Sequence, residues 1–326
     1  MSVTCGLCPK QCVIKPGQSG ECRVRVNIDN KLTAVTYGFP CSLHIDPVEK
    51  KPLFHFLPGT GILSLATVGC NLHCKNCQNW EISQANPEDV AAYRVMPSEV
   101  VDLATRANTQ SIAYTYTDPI IYYEYTMESS RLARDAGLKN VLVTAGYINK
   151  EPWRQLGIFT DAANIDLKSI NNSFYRNICD ASLKPVLDSL VLAKELGIWV
   201  EVTNLIIPTL NDSDQDLRNL IRWVKKNLGP ETPLHFSRFH PQFRLTNLPQ
   251  TSSETLARAY EMGYEEGLYY VYVGNLLNEK WQSTRCYKCK EIIIRRQGYR
   301  ILEKRLQFRR GEAVCPDCGS EIHGIF

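Results

Sequence analysis

No apolar run in the sequence approaches the ~20 residues that a membrane-spanning helix needs, which excludes helical membrane proteins and membrane partners. Charge of one sign is also missing. With 37 Lys and Arg against 34 Asp and Glu, the net charge is +3, too little for the broad basic footprint of a general nucleic-acid binder. There is no internal repeat and no low-complexity tract. The opening residues Met1 to Gly6 carry neither the basic nor the apolar stretch of a signal peptide, so a cytoplasmic protein is expected. The chain has 326 residues, 44% of them apolar and 22% charged, which suits about two domains or one large α/β domain with small appendages.

Cysteine is abundant. The 13 cysteines cannot all pair internally, and in a reducing compartment closely spaced cysteines read as metal sites. They form three groups: Cys5, Cys8, Cys12 and Cys22; Cys70, Cys74 and Cys77; and Cys286, Cys289, Cys315 and Cys318. Cys41 and Cys179 stand apart.

The pattern divides the chain into residues 1–58, 59–280 and 281–326. The first part is turn-rich, and two β-type runs around Ile28-Asp-Asn30 predict a hairpin. In the middle part, strand-like and helix-like runs alternate from Gly61 to Val273. Six β/α units and a seventh strand are expected, hence a parallel sheet. Six units fall short of a closed eight-unit barrel, so the expected fold is a partial (β/α)6 barrel with a Cys-rich N-terminal and a zinc-ribbon-like C-terminal appendage. A doubly wound open sheet is the rival, and either would build its site at the C-terminal ends of the strands. The last part, taken from Arg285, has a net charge of +5, leaving −2 for the rest.

Cys70, Cys74 and Cys77 form a CxxxCxxC loop directly after the first expected strand. Iron–sulfur clusters are normally held by four cysteines. Three would hold three irons of a cubane and leave the fourth open, the mark of a reactive rather than a structural site. Later strands contribute polar groups at their C-terminal ends: Thr115, Thr117 and Asp118; Thr144 and Gly146; Asp166 and Lys168; Glu201 and Thr203. Side chains two apart on a strand share a face, so Asp166 and Lys168 point the same way, as do Glu201 and Thr203. A charged pair inside a barrel marks either a site or a structural ion pair. The tyrosines at 114, 116, 122, 123 and 125 read as packing.

The CxxxCxxC loop in this context resembles the radical S-adenosylmethionine (radical SAM) superfamily. That resemblance implies a catalytic 4Fe-4S cluster on Cys70, Cys74 and Cys77 whose open iron chelates the amino and carboxylate groups of SAM. Reductive cleavage would yield a 5′-deoxyadenosyl radical that abstracts hydrogen from a substrate, with electrons from a low-potential donor such as flavodoxin or ferredoxin. Two departures stand out. Asn76 occupies the position before the last cysteine, where many members carry an aromatic residue beside adenine. The glycine-rich segment that holds the SAM amino group is replaced by Thr115-Tyr-Thr-Asp118. The Asp166-x-Lys168 pair resembles glycyl-radical-activating enzymes, where it contacts SAM. Glu201 and Thr203 are expected near the ribose or carboxylate, with a solvated strand end as the competing reading, and Gly146 either allows a close approach of SAM or substrate or simply makes a turn.

Cys286-x2-Cys289 and Cys315-x2-Cys318 have zinc-ribbon spacing, with zinc the expected metal and rubredoxin-type iron the alternative. Cys5, Cys8, Cys12 and Cys22 suit either structural zinc or a second iron–sulfur cluster. The N-terminal Cys5-Gly-Leu-Cys-Pro-Lys-Gln-Cys12, the segment Asp46 to Phe56, Cys77-Gln-Asn-Trp-Glu-Ile-Ser83 and Cys315-Pro-Asp-Cys-Gly319 together resemble the radical SAM component of the AmmeMemoRadiSam system. That implies partners of the Memo and AMMECR1 types and leaves the substrate open. A glycyl-radical-enzyme activase is the alternative enzyme. A metal-binding scaffold whose basic ribbon touches nucleic acid is the alternative from another class, disfavoured because a scaffold needs no open iron.

Overall fold

The structure, a computed structural model, describes residues 1–326. The N-terminal segment forms two short hairpins. In the second, Arg25–Ile28 pairs with Lys31–Ala34 around Asp29 and Asn30, both at positive φ, the two-residue turn that matches strand twist.

The central sheet has eight strands. We number them β1 (Ser42–Pro47), β2 (Gly61–Ala66), β3 (Ser111–Tyr114), β4 (Lys139–Thr144), β5 (Ala162–Asp166), β6 (Trp199–Ile206), β7 (Leu234–Arg238) and β8 (Val271–Gly274). Their spatial order is their sequence order. A doubly wound sheet must reverse direction at a switch point; this one never does, so the winding is that of a barrel. β1 runs antiparallel to β2 and every other pair is parallel. β1 and β8 do not pair, so the barrel is open. The helices that return the chain are α1 (Pro97–Arg106), α2 (Tyr123–Asp135), α3 (Lys150–Gly157), α4 (Leu183–Glu195), α5 (Asp214–Leu228) and α6 (Ser253–Glu265), giving the six β/α units expected.

One local reading is corrected. β1 lies before residue 58 yet belongs to the barrel sheet; three of its six residues are exposed and only Asp46 is buried, so the run shows little of the buried texture of the strands that follow. The cap of α5 is Ser213, which accepts from the Asp216 amide, while Asp212 accepts from the Thr209 amide one turn earlier.

The N-terminal end of the barrel is closed by buried charge. Glu201 on β6 is fully buried and accepts hydrogen bonds from the Phe54 amide (3.0 Å), the His55 amide (2.8 Å) and Trp199 Nε1 (3.1 Å), with His235 Nε2 at 2.6 Å. These contacts pin the segment between β1 and β2 across the sheet to β6 and β7. The C-terminal domain attaches to the same segment. Arg296, also fully buried, donates to the Phe54 carbonyl (2.7 Å) and Thr284 Oγ1 (2.6 Å), and stands 3.7 Å from Glu49. His55 Nδ1 lies 2.6 Å from the His323 carbonyl, and Ile325 pairs through its backbone with His55 and Leu57.

Burial alone would raise the pKa of Glu201, but His235 and the backbone donors hold it below the usual glutamate range. The carboxylate therefore contributes stability that is present above the ordinary glutamate pKa and lost as the pH falls through the lowered folded value. Glu201→Gln should cost roughly 3–5 kcal/mol, the price of breaking a buried pair. It should also flatten the acid limb of the stability profile. Urea midpoints measured from pH 7 down to pH 3 check both.

Candidate functional site

A cavity of about 850 Å³ opens at the C-terminal strand ends and runs down the barrel interior as far as Glu49, Phe54 and His235 beside the closed end. Its wall includes Cys70, Cys74, Cys77, Asn76, Thr115, Thr117, Asp118, Thr144, Asp166, Lys168 and Thr203. Eleven of the thirteen residues expected at the catalytic and cofactor site thus meet in one space.

Glu201 and Gly146 do not line it. Glu201 sits in the first half of β6, and its oxygens are taken by the contacts described above. The two-residue rule gave its face correctly but not its depth. Gly146 is at φ +64° and packs outward: a Cβ there would stand 3.0 Å from Ile165 and 3.5 Å from Ser189, so the glycine serves the approach of α4 to the sheet.

The three-cysteine loop is held by backbone and side-chain contacts. The amide of Leu72 donates to Cys70 Sγ (3.4 Å), and Cys77 Sγ lies 3.1 Å from Ser83 Oγ. The His73 and Lys75 amides donate to the carbonyls of Cys179 and Ile178. His73 Nδ1 contacts Gln84 Oε1 at 3.0 Å, which anchors it to the loop's flank. Cys179, set aside in the sequence, makes a thiol contact with Cys74. That contact, with Lys168 helping, holds the Cys74 pKa below the usual thiol value against the push of burial. Its distance in sequence gave no signal. Burial pushes Cys70 well up, with Asp118 adding to it, and raises Cys77.

Asp118 is 3% exposed and accepts from the Ala145 amide (3.0 Å), the Ile120 amide (3.2 Å) and Thr144 Oγ1 (3.0 Å). Burial still raises its pKa despite these donors and Lys168. Lys168 Nζ lies 2.7 Å from Asp166; burial lowers its pKa, but Asp166 and Cys74 outweigh it and hold the ammonium form. The buried polar atoms of this wall that have no partner include Thr203 Oγ1 and Asn76 Oδ1 near the strand ends, and Glu49 Oε2 at the closed end. Such atoms cost free energy unless a ligand satisfies them. The thiols, the charged pair and these unpartnered oxygens fit a cluster and a polar cofactor.

Tyr116 is the residue that composition concealed. It has φ +63°, a region that non-glycine residues avoid at a cost of about 1–3 kcal/mol. The bend falls directly after β3. Asn79 of the cluster loop donates to its carbonyl (2.8 Å), and its hydroxyl donates to Asp46. Lys51 stands 4.3 Å from the ring centroid and 2.7 Å from Asp46. Burial lowers the Lys51 pKa to about 8. Tyr114, Tyr122 and Tyr125 are buried packing, as expected.

The N-terminal chain touches this site directly. Gly69, at φ +94°, leaves room for the Cys22 carbonyl, which a Cβ would approach to 2.4 Å. In the C-terminal domain, Cys286, Cys289, Cys315 and Cys318 bring their sulfurs within 4.8 Å of one another. The pairs Cys286–Cys318 and Cys289–Cys315 stand at 3.6 Å. A metal with bonds of ~2.3 Å in tetrahedral geometry places sulfurs about 3.8 Å apart, so this set can hold one ion. Lys290 and Gly319, each just after a cysteine pair and each at positive φ, turn their amides onto the Cys286 and Cys315 carbonyls. Three arginines of this basic region are committed internally: Arg295 to Glu279, Arg296 to Phe54 and Thr284, and Arg305 to Asp317.

Gly69→Ala should lose about 2–4 kcal/mol from backbone strain and overpacking and lower the iron bound after anaerobic reconstitution; unfolding and iron assays test it. Cys289→Ser should remove one metal ion per chain, measured by plasma mass spectrometry, and lower the melting temperature.

The radical SAM superfamily model matches residues 64–224. An uncharacterized protein of Methanocaldococcus jannaschii is 48% identical over 322 residues, 98% of this chain and 95% of that protein. The pyruvate formate-lyase-activating enzyme of Clostridium pasteurianum is 22% identical over 160 residues, 48% of this chain and 66% of that enzyme. Among solved structures, a radical SAM methyltransferase from Sphaerobacter thermophilus superposes with a TM-score of 0.54 at 17% identity, covering 67% of each chain. Streptococcus suis SuiB bound to S-adenosylmethionine gives 0.53 at 11% identity, covering 70% of this chain and 53% of that one. The cysteine loop at the strand ends, the open barrel and these matches agree, and the chain belongs to the radical SAM superfamily of enzymes.

Proposed function

We propose that this chain uses a 4Fe-4S cluster on Cys70, Cys74 and Cys77 to cleave SAM reductively, so that a 5′-deoxyadenosyl radical abstracts hydrogen from a second substrate. The observation that carries this reading is the single cavity into which three thiols, a Lys–Asp pair and the unpartnered oxygens of Thr203 and Asn76 converge. Its volume lies in the range of cofactor and ligand pockets.

In this reading Lys168 and Asp166 bind the charged methionine end of SAM. Asp118, fixed by Thr144 and two amides, holds the ends of β3 and β4 in register around it. Thr115, Thr117 and Thr203 line the remaining polar wall, and Asn76 offers its oxygen beside the adenine. Leu276, Leu277 and Tyr299 border the cavity from the C-terminal side and face the second substrate. Electrons come from a low-potential protein such as a flavodoxin or ferredoxin.

The motifs at both chain ends favour the AmmeMemoRadiSam radical component, with Memo-type and AMMECR1-type proteins as partners and a peptide, protein or small molecule as substrate. The Asp166–Lys168 pair and the activating enzymes among the relatives favour a second reading, an activase acting on a backbone glycine of a glycyl-radical enzyme. The C-terminal ion is assigned as zinc, and the N-terminal cysteines as a further metal site. All 13 cysteines are unpaired, which suits a reducing cytoplasm.

Anaerobically reconstituted protein given dithionite and SAM should form 5′-deoxyadenosine, detected by mass spectrometry, and Cys74→Ala should form none. A wild type that carries its cluster yet binds no SAM would sink the proposal. Deuterium transfer from labelled peptide, protein or small-molecule candidates into 5′-deoxyadenosine separates the two substrate readings.

A further inference from the structure

We infer that Cys5, Cys8, Cys12 and Cys22 hold a second, cubane-type iron–sulfur cluster seated against the first, rather than a zinc ion. All four cysteines line one small cavity beneath the cluster loop. A tetrahedral zinc site needs no such space, because its sulfurs close directly around the ion. The molecule supplies its own comparison. The C-terminal four sulfurs gather within 4.8 Å, as one ion requires. By the same measure, neither Cys70, Cys74 and Cys77 nor the N-terminal four close into a single-ion set. A cubane carries its thiolates on outer corners around a core of iron and sulfide, so its cysteines must stand apart around a void. The N-terminal set shares that arrangement with the catalytic set. The comparison rests on the proposed cluster at Cys70, Cys74 and Cys77.

The wall chemistry agrees. Arg25 lines this cavity, is 6% exposed, and has an Nε–H with no partner, although its two terminal nitrogens are bound to Glu124 at 2.7 and 2.8 Å. An unpartnered buried donor beside four thiols suits the sulfide of a negatively charged cluster, since hydrogen bonds to sulfur are among the means by which proteins set cluster potential. Lys10 and Glu21 also line the wall, paired with each other at 2.6 Å, and Lys10 is further paired with Asp180.

The two cysteine groups are separated by a single side chain. Asn71 lines the N-terminal cavity, its Oδ1 lies 3.9 Å from Cys70 Sγ, and its side chain also reaches the Cys8 thiol. Its Nδ2 is fixed on the Tyr147 carbonyl at 2.8 Å. On the other flank, Gly69 abuts the Cys22 carbonyl. Two clusters so placed are close enough for their unpaired spins to interact when both are reduced.

The test compares full-length wild type, a Cys5→Ala/Cys8→Ala variant and a Cys70→Ala/Cys74→Ala/Cys77→Ala variant, all reconstituted anaerobically with iron and sulfide. Acid-labile sulfide is the deciding count, because neither zinc nor rubredoxin-type iron contains it. The wild type should hold about eight sulfides per chain and each variant about four. Dithionite-reduced wild type should give a broadened electron paramagnetic resonance signal that sharpens in the triple variant. About four sulfides in the wild type and none in the triple variant, with zinc at both ends, would overturn the inference. If the double variant fails to fold, the triple variant still decides, because its N-terminal cysteines are intact. Loss of no sulfide from the triple variant would instead sink the catalytic-cluster assignment.

Discussion

A barrel left open between its first and last strands must be closed at one end without being blocked at the other. Buried charge does this. Glu201 and Arg296 are both fully shielded from solvent, and both act on the segment that joins β1 to β2. Neither ion tolerates such a position unless its partners are in place. The His235, Trp199 and backbone donors around Glu201, and the carbonyl and hydroxyl acceptors around Arg296, are therefore conditions of the fold. With the lower end fixed in this way, the strand ends at the upper end carry the Asp166–Lys168 pair and a fully bonded Asp118 beside oxygens of Thr203 and Asn76 that have no partner.

The fold was largely legible in the sequence because parallel strands buried on both faces read as dense apolar runs separated by helical periodicity. Strand count and the choice between barrel and doubly wound sheet differ in this respect. The seven parallel strands follow from the runs; the second depends on spatial order, which periodicity does not contain. β1 escaped notice because it is an edge strand with exposed positions. At the site, Cys70, Cys74, Cys77, Asp118 and Lys168 declared themselves by residue type and spacing. Glu201 declared itself by the same rule and belongs to the opposite end of the barrel, since alternation specifies a face and not a height along the strand. Tyr116 and Cys179 were illegible for different reasons. The role of Tyr116 is carried by its backbone angle, and the contact of Cys179 with Cys74 spans more than a hundred residues.

The cysteines show how spacing in space, rather than in sequence, separates metal chemistries. Both outer groups offer four thiols. The C-terminal four sit on two matched turns whose amides point back at their own cysteine carbonyls, a compact arrangement suited to one ion. The N-terminal four come from a looser run and surround a space. Sequence spacing alone left both as four-cysteine sites.

The C-terminal domain also reaches the reaction space: Gly298 and Tyr299 stand in the same cavity wall as the catalytic cysteines, on a sheet whose neighbouring strands lead to the Cys286 turn. On the proposed reading, a molecule that kept its cluster but lost the C-terminal ion would keep its reactivity and lose the shape of one cavity wall, so that ion would help to select the molecules that meet the radical.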